Sequence, residues 1–373
     1  MKHSYNLDSF RGLLSLVVVM QHTAAAFIYS INGIASPVNT YLGLAAHYSV
    51  LFFFALSGYV ITLSITENKK RNGVFNLTEY MISRTIRILP PLMGAFLLSF
   101  ILLLILIYLN ATHVTGDFKY FIRKSYDPDI TAQLKAVFSL MVFGDLGGGA
   151  NNVNGALWSL VYEIQFYVFA GLFSVMMMTK NLGFRILCFF FLALYSYGIN
   201  IKFELNIQWV SYFCFASGSL ANLFKDKISR SRLALPLITI ILIYTIGTQA
   251  EWTNIIQKLR VSIPFTGDWM IYRVVIGIFF AALLVHIDKV GKLLSIFHKI
   301  SPYSYSLYII HFPIVVFIWF VFVNHAPTAL NHYYVLSVVT IIICISFAWC
   351  FARVLEKPKQ QRALVYRLMK IRV

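Results

Sequence analysis

Charge is the scarcest commodity in this sequence. Only 12% of its 373 residues are Asp, Glu, Lys or Arg, about half the share of a soluble domain. With 59% hydrophobic residues and a mean hydropathy of +0.74, the chain has too little polar surface to face water, which excludes an ordinary soluble globular protein. Acidic residues are rarer still, 14 against 31 basic, giving a formal charge of +17. The basic residues cluster between apolar runs rather than along one polar face, so the excess points to a membrane surface and not to nucleic acid. Cysteine is limited to Cys188, Cys214, Cys344 and Cys350, all inside apolar segments and without metal-ligand spacing. That excludes a disulfide framework and a zinc site, and we expect no metal. The glycine run Gly147-Gly148-Gly149 is not followed by Gly-Lys-Ser/Thr, which excludes a Walker-type phosphate loop. Internal repeats, low-complexity linkers and polar segments long enough for a separate soluble domain are also missing.

What the sequence has instead is a succession of apolar runs. A bilayer crossing takes ~20 apolar residues, and on that measure spans fall near 10–31, 44–65, 90–109, 157–178, 184–200, 207–224, 233–249, 270–288, 303–323 and 333–353. The expected fold is therefore an all-α polytopic membrane helix bundle of about ten transmembrane helices. Most Lys and Arg then fall on the side of the N-terminus, so both termini are expected in the cytoplasm. Residues 1–355 would form one transmembrane domain and 356–373 a basic cytoplasmic tail. Lys2, the first apolar run and Ala24-Ala25-Ala26 imitate a signal peptide, but Asp8 and Arg11 adjoin the run and apolar character continues to Ile31, which argues against cleavage. In the long connection 110–156, the weaker apolar stretch Leu134 to Phe143 reads as an interfacial or partly inserted helix before a flexible loop.

Polar residues inside such spans are costly, and so they are the first candidates for function. Asp8, Arg11, Ser15 and His22 fall within about 60° of one another on the first helix. Arg11 and His22 are separated by about 16.5 Å of rise, placing Arg11 at the cytoplasmic mouth and His22 near mid-membrane. An intramembrane His can move a proton near neutral pH; the bland reading is a packing contact with a neighbouring helix. Arg84 and Arg87 share a face just before Pro90-Pro91, with Pro90 suited to a first helical turn. Their guanidinium groups match phosphate geometry, though arginines there also serve as topology anchors. Glu163, a turn inside the span opened by Trp158, would orient a catalytic His, bind a sugar hydroxyl or pair with a buried cation. Ser304, Tyr308 and His311, at i, i+4 and i+7, form a second polar stripe, and Pro313 would kink that helix and free backbone carbonyls.

As an ordered set these residues resemble the acyltransferase-3 family of membrane proteins. The likeness rests on Leu7-Asp8-Ser9-Phe10-Arg11-Gly12 through His22, Phe52-Phe53-Phe54-Ala55-Leu56-Ser57-Gly58-Tyr59 and Arg84-x-x-Arg87-x-x-Pro90. It continues through Trp158-Ser159-Leu160-x-x-Glu163-x-x-Phe166-Tyr167, Ser304-Tyr-Ser306-x-Tyr308-x-x-His311 and Glu356-Lys-Pro358, and so spans nearly the whole chain. Some members carry an added SGNH hydrolase-like domain; no segment here matches one, so the membrane domain is expected to act alone or with a separate protein.

The resemblance implies an O-acyltransferase that takes acetyl-CoA as donor on the cytoplasmic side. Its acceptor would be a glycan or lipid-linked glycan on the other side, such as O-antigen, in a bacterial inner membrane. Arg11, Arg84 and Arg87 would hold the phosphorylated end of CoA while the pantetheine arm carries the thioester toward His22. His22 would act as general base or be acylated transiently, with Glu163 and His311 completing the catalytic set. Tyr308, Ser304 and Trp158 are candidate oxyanion donors, and Asp8 and Ser15 candidate substrate contacts. A transporter or flippase for a polysaccharide precursor is the competing reading, since intramembrane charges and broken helices also mark transport paths.

Overall fold

The structure, a computed structural model, describes residues 5–28, 37–109, 131, 154–202, 205–225, 227, 270–287, 291–322 and 330–368. It is all-α among these residues. The helices are α1 (Tyr5–Phe27), α2 (Pro37–Asn72), α3 (Leu77–Tyr108), α4 (Trp158–Met178), α5 (Leu182–Lys202), α6 (Leu205–Leu223), α7 (Met270–Val285), α8 (Ser304–Phe322), α9 (Leu330–Leu355) and α10 (Pro358–Leu368). Short 3-10 segments precede α4 at Gly155–Leu157 and α8 at Gly291–Lys299 and Ser301–Tyr303.

The expectation of about ten spans is corrected. Among the described residues 6 helical stretches are long and apolar enough to cross a membrane: Tyr5–Phe27, Tyr41–Asn72, Leu77–Tyr108, Gly155–Met178, Ser301–Phe322 and His332–Arg367. The apolar parts of α5 and α7, Leu182–Ser196 and Val275–Val285, have 10–17 residues each. The run at 207–224 forms α6 but is not among the spanning stretches, and 233–249 lies outside the described residues. Counting apolar runs overestimates spans because a run measures local composition, whereas a crossing needs helix that is both long and apolar throughout. The expectation about the termini is not tested, because residues 1–4 and 369–373 lie outside the described residues. So does the stretch Leu134 to Phe143.

A second correction concerns Pro90. The helix starts well before it, at Leu77, so Pro90 and Pro91 lie in the interior of α3. Asn76 supplies the start signal, its side-chain oxygen accepting from the Glu79 amide at 3.0 Å. Prolines are tolerated inside membrane helices when neighbouring groups take up the freed backbone positions.

The chain forms two compact units. One comprises Met1–Leu7, Leu51–Met81 and Gln165–Ser295; the other comprises Asp8–Val50, Ile82–Ile164 and Ile296–Val373. In the first, α6 lies along α7, and α2 and α6 meet through a glycine pair. A Cβ on Gly58 would overlap the carbonyl oxygen of Phe215, and one on Gly218 that of Ala55. Close approach of this kind is how membrane helices gain van der Waals contact when no hydrophobic force drives them together. Around it, Phe166 stacks on Phe215 at 4.3 Å and stands edge-on to Phe54 at 5.4 Å. The turn between α2 and α3 is closed by Gly73 at φ 74° and by Arg71 pairing with Glu79 at 2.5 Å.

The second unit contains every candidate residue singled out from the sequence. Its core is α8 lying along α9, with Trp319, Phe320, Leu307, Ile309 and Ile310 buried. Cys188, Cys214 and Cys344 are buried free thiols and Cys350 is exposed.

The glycine pair yields a stability prediction. Gly218→Leu should lower stability by about 1–3 kcal/mol through overpacking, seen as a lower unfolding temperature in detergent. Gly183→Ala, whose new methyl would meet only Asn181 Oδ1 at 3.4 Å, should leave it unchanged.

Candidate functional site

Two histidines read separately from the sequence meet in space. His22, on α1, places its Nδ1 2.8 Å from Nε2 of His311 on α8, although 289 residues separate them. Their rings stack with centroids 5.1 Å apart and planes 11° from parallel. His311 is fully buried and His22 half-buried.

The hydrogen positions follow from the partners. Nδ1 of His311 lies 2.8 Å from the carbonyl oxygen of Tyr308 and 3.1 Å from that of Leu307. A carbonyl oxygen only accepts, so His311 Nδ1 must carry the hydrogen. In the neutral ring its Nε2 is then the acceptor, and the His22 Nδ1–H donates to it. The remaining lone pair of the dyad therefore sits on Nε2 of His22. Backbone carbonyls and a neutral imidazole thus fix the tautomer and orientation of the His22 ring.

Phe312 supports the pair, standing edge-on to His22 at 5.4 Å and to His311 at 6.5 Å. Behind it the 3-10 turn that precedes α4 is stitched to α8. Asn154 Nδ2 donates to the Ile309 carbonyl at 2.6 Å, and the Tyr308 hydroxyl donates to the Ala156 carbonyl at 3.0 Å. Having given its only hydrogen to Ala156, Tyr308 accepts from the Ser159 hydroxyl. Tyr308 also lies within electrostatic range of Glu163.

The other end of the site is charged. Asp8 and Arg11 pair one turn apart at 3.8 Å on α1. Gly12 brings this part of α1 against the segment before α8, since a Cβ there would overlap the carbonyl oxygen of Phe297. Arg84 is buried and Arg87 half-buried on α3. Glu356, just past α9, faces the start of α8: its Oε1 accepts from the Ser306 amide at 3.0 Å and from the Ser306 hydroxyl. Arg87 and Arg11 both lie within electrostatic range of its carboxylate. Glu356 thus caps α8 from a distant part of the chain and brings negative charge to the arginine cluster.

The structure brings together His22 with His311, Tyr308 with Ser159, and Arg11 and Arg87 with Glu356. Two hydroxyls are committed to the backbone, Ser15 to the Gly12 carbonyl and Ser304 to the Ser301 carbonyl, each at 2.9 Å. Trp158 stands edge-on to Tyr162 at 6.1 Å. Sequence reasoning missed Asn154, Phe312 and Ser306 as members of the site and took Glu356 only as a closing motif. A detectable signal existed for Asn154 alone: Pro313 strips an acceptor carbonyl of its amide four residues earlier, and something must replace it. Among the described residues no group of three or more His, Cys, Asp or Glu could hold a metal ion.

Residues 4–349 match the model of a family described as an acyltransferase domain. A protein of Shigella phage Sf6 named O-acetyl transferase is 20% identical over 280 residues, which cover 71% of this chain and 76% of the phage protein. No solved structure is significantly similar to the chain.

Glu356 generates the prediction here. Glu356→Ala leaves the Ser306 amide without its acceptor and should destabilise the protein by about 1–3 kcal/mol. Glu356→Gln keeps a carbonyl acceptor and should unfold in detergent closer to the unsubstituted protein than the alanine variant does. Equal unfolding temperatures for the two variants would count against the capping role.

Proposed function

Because the chain belongs to the acyltransferase domain family, we propose that it is a membrane-embedded O-acyltransferase. It takes an acyl group, acetyl foremost, from cytoplasmic acyl-CoA and transfers it to a hydroxyl of a cell-surface polysaccharide or its lipid-linked precursor, such as O-antigen, in a bacterial inner membrane. The observation that carries this reading is the His22–His311 dyad, whose tautomers leave an oriented lone pair on His22 Nε2. The named activity of the phage relative agrees with it.

In this reading the phosphates of acyl-CoA lie against Arg11, Arg84 and Arg87, where planar guanidinium groups supply paired donors. Along α1 the thioester must then reach about 16.5 Å from Arg11 to His22, a distance assigned to the pantetheine arm. His22 Nε2 takes the proton from the acceptor hydroxyl as its oxygen forms a bond to the thioester carbonyl carbon. The C–S bond breaks, and the thiolate of CoA leaves and recovers the proton from His22. While His22 carries the extra proton, its Nδ1–H stays bonded to His311 Nε2, and His311 is held by Leu307 and Tyr308. Glu163, within range of Tyr308, lies on the side of the acceptor in this scheme, with Trp158 as a candidate donor to the developing oxyanion.

The test separates binding from chemistry. His22→Ala should lower acyl transfer at saturating donor by roughly 10²–10⁴-fold, with donor affinity retained. Arg84→Ala and Arg87→Ala should instead weaken acyl-CoA binding, by about 1.5–3 kcal/mol for each charge-assisted bond lost, and should spare a pantetheine thioester that lacks the nucleotide phosphates. Transfer from radiolabelled acetyl-CoA to purified lipid-linked glycan, and equilibrium binding in detergent, provide the two readouts. A purified, monodisperse chain that neither binds nor cleaves acyl-CoA would turn the assignment toward a transporter.

A further inference from the structure

A proline two residues beyond the buried histidine creates a vacancy that a distant asparagine fills. Residue 313 of α8 is proline, which has no amide hydrogen, so the carbonyl of Ile309 lacks its helical partner. The Asn154 side chain takes that place, donating to Ile309 at 2.6 Å while itself buried. The turn so closed is the one that aims the dyad: the carbonyls of Leu307 and Tyr308, which receive His311 Nδ1–H, immediately precede Ile309. Next to Asn154, Gly155 lies against the ring of Phe312, whose Cζ would be 3.3 Å from a Cβ at that position. Phe312 is the ring that stands edge-on to both histidines.

We propose that Asn154 is a positioning residue, which substitutes for the amide removed by Pro313 and thereby holds the carbonyls and the Phe312 ring that orient His311 and His22. This role rests on the reading of His22 as the proton-handling group. Proline and asparagine then work as one device. The proline removes the amide that the Ile309 carbonyl would have accepted from, and the asparagine satisfies the carbonyl so left bare inside an apolar bundle. Tyr308 and Ser159 tie the same two segments independently, so the fold does not depend on Asn154 alone.

A double-mutant cycle reads this coupling, because Pro313→Ala restores the missing amide and makes the asparagine redundant. Asn154→Ala should lower kcat for acyl transfer about tenfold, the factor expected for one buried hydrogen bond, with the KM for acyl-CoA unchanged because the arginine cluster is untouched. In the Pro313→Ala background the same substitution should lower kcat less than about twofold. Size-exclusion profiles and unfolding temperatures in detergent accompany each variant, and the double variant should be folded even if Asn154→Ala alone is not. The proposal is overturned by an equal loss in both backgrounds, by a rise in donor KM that matches the loss of kcat, or by a double variant that does not fold. If the unsubstituted chain transfers no acyl group, the proposed function fails and takes this role with it. If that chain is active and His22→Ala is not, but the cycle is additive, this role alone fails.

Discussion

In a bilayer a buried polar group has only protein to bond to, and the second unit is organised by that constraint. A carbonyl freed by proline, an imidazole N–H inside an apolar bundle and a helix start without its own cap would each cost free energy if left unsatisfied. Here each finds its partner, most of them in a distant part of the chain. Asn154 reaches Ile309, His311 reaches both its own helix and His22, and Glu356 caps the start of α8 at Ser306. These bonds substitute for the hydrophobic force that is weak between helices in lipid, and they fix the angles at which functional side chains point.

The residue types of the site were legible in the sequence because a polar group in an apolar run is conspicuous whatever it touches. His22, His311, Glu163 and the arginines all stood out on that ground, and helical periodicity correctly grouped neighbours on one helix. The partnerships were not legible, since no local rule joins residues 289 positions apart. Asn154 was hidden for a different reason: it lies in a polar, glycine-rich connection where another asparagine is unremarked, and only Pro313 on a remote helix gives it meaning.

Fold class was legible for the same compositional reason, and span number was not. Six of the expected runs correspond to stretches long enough to cross, whereas the apolar parts of α5 and α7 stop short. Hydropathy reports how a segment partitions, whereas a crossing also needs the apolar residues to lie in one helix of sufficient length. Pro90 misled in a similar way. As a first-turn residue it would have been locally ideal, but the stronger start signal was Asn76, fourteen residues earlier, acting through its bond to the Glu79 amide.

In the proposed function, the distribution of charge within the second unit follows from what each end would hold. Asp8, Arg11, Arg87 and Glu356 form a charged neighbourhood, where a phosphorylated ligand can be met by guanidinium donors whose own charge is already partly balanced. The dyad is built without a carboxylate partner. A carboxylate bonded to His22 inside the membrane would form an ion pair whose desolvation cost can exceed its Coulombic gain. His311 avoids that cost: it passes the orienting influence of two backbone carbonyls to His22 while remaining neutral, so that in the proposed mechanism charge arises only when His22 takes a proton. Neutrality sets a geometric demand in return. A carboxylate attracts an imidazolium over several ångströms, but a neutral imidazole acts only through a directed hydrogen bond, whose strength falls steeply with misalignment. On that proposal the carbonyls that aim His311 must be held rigidly, which fits a helix turn lacking one amide at Pro313 and tied down by Asn154, Tyr308 and the Phe312 ring.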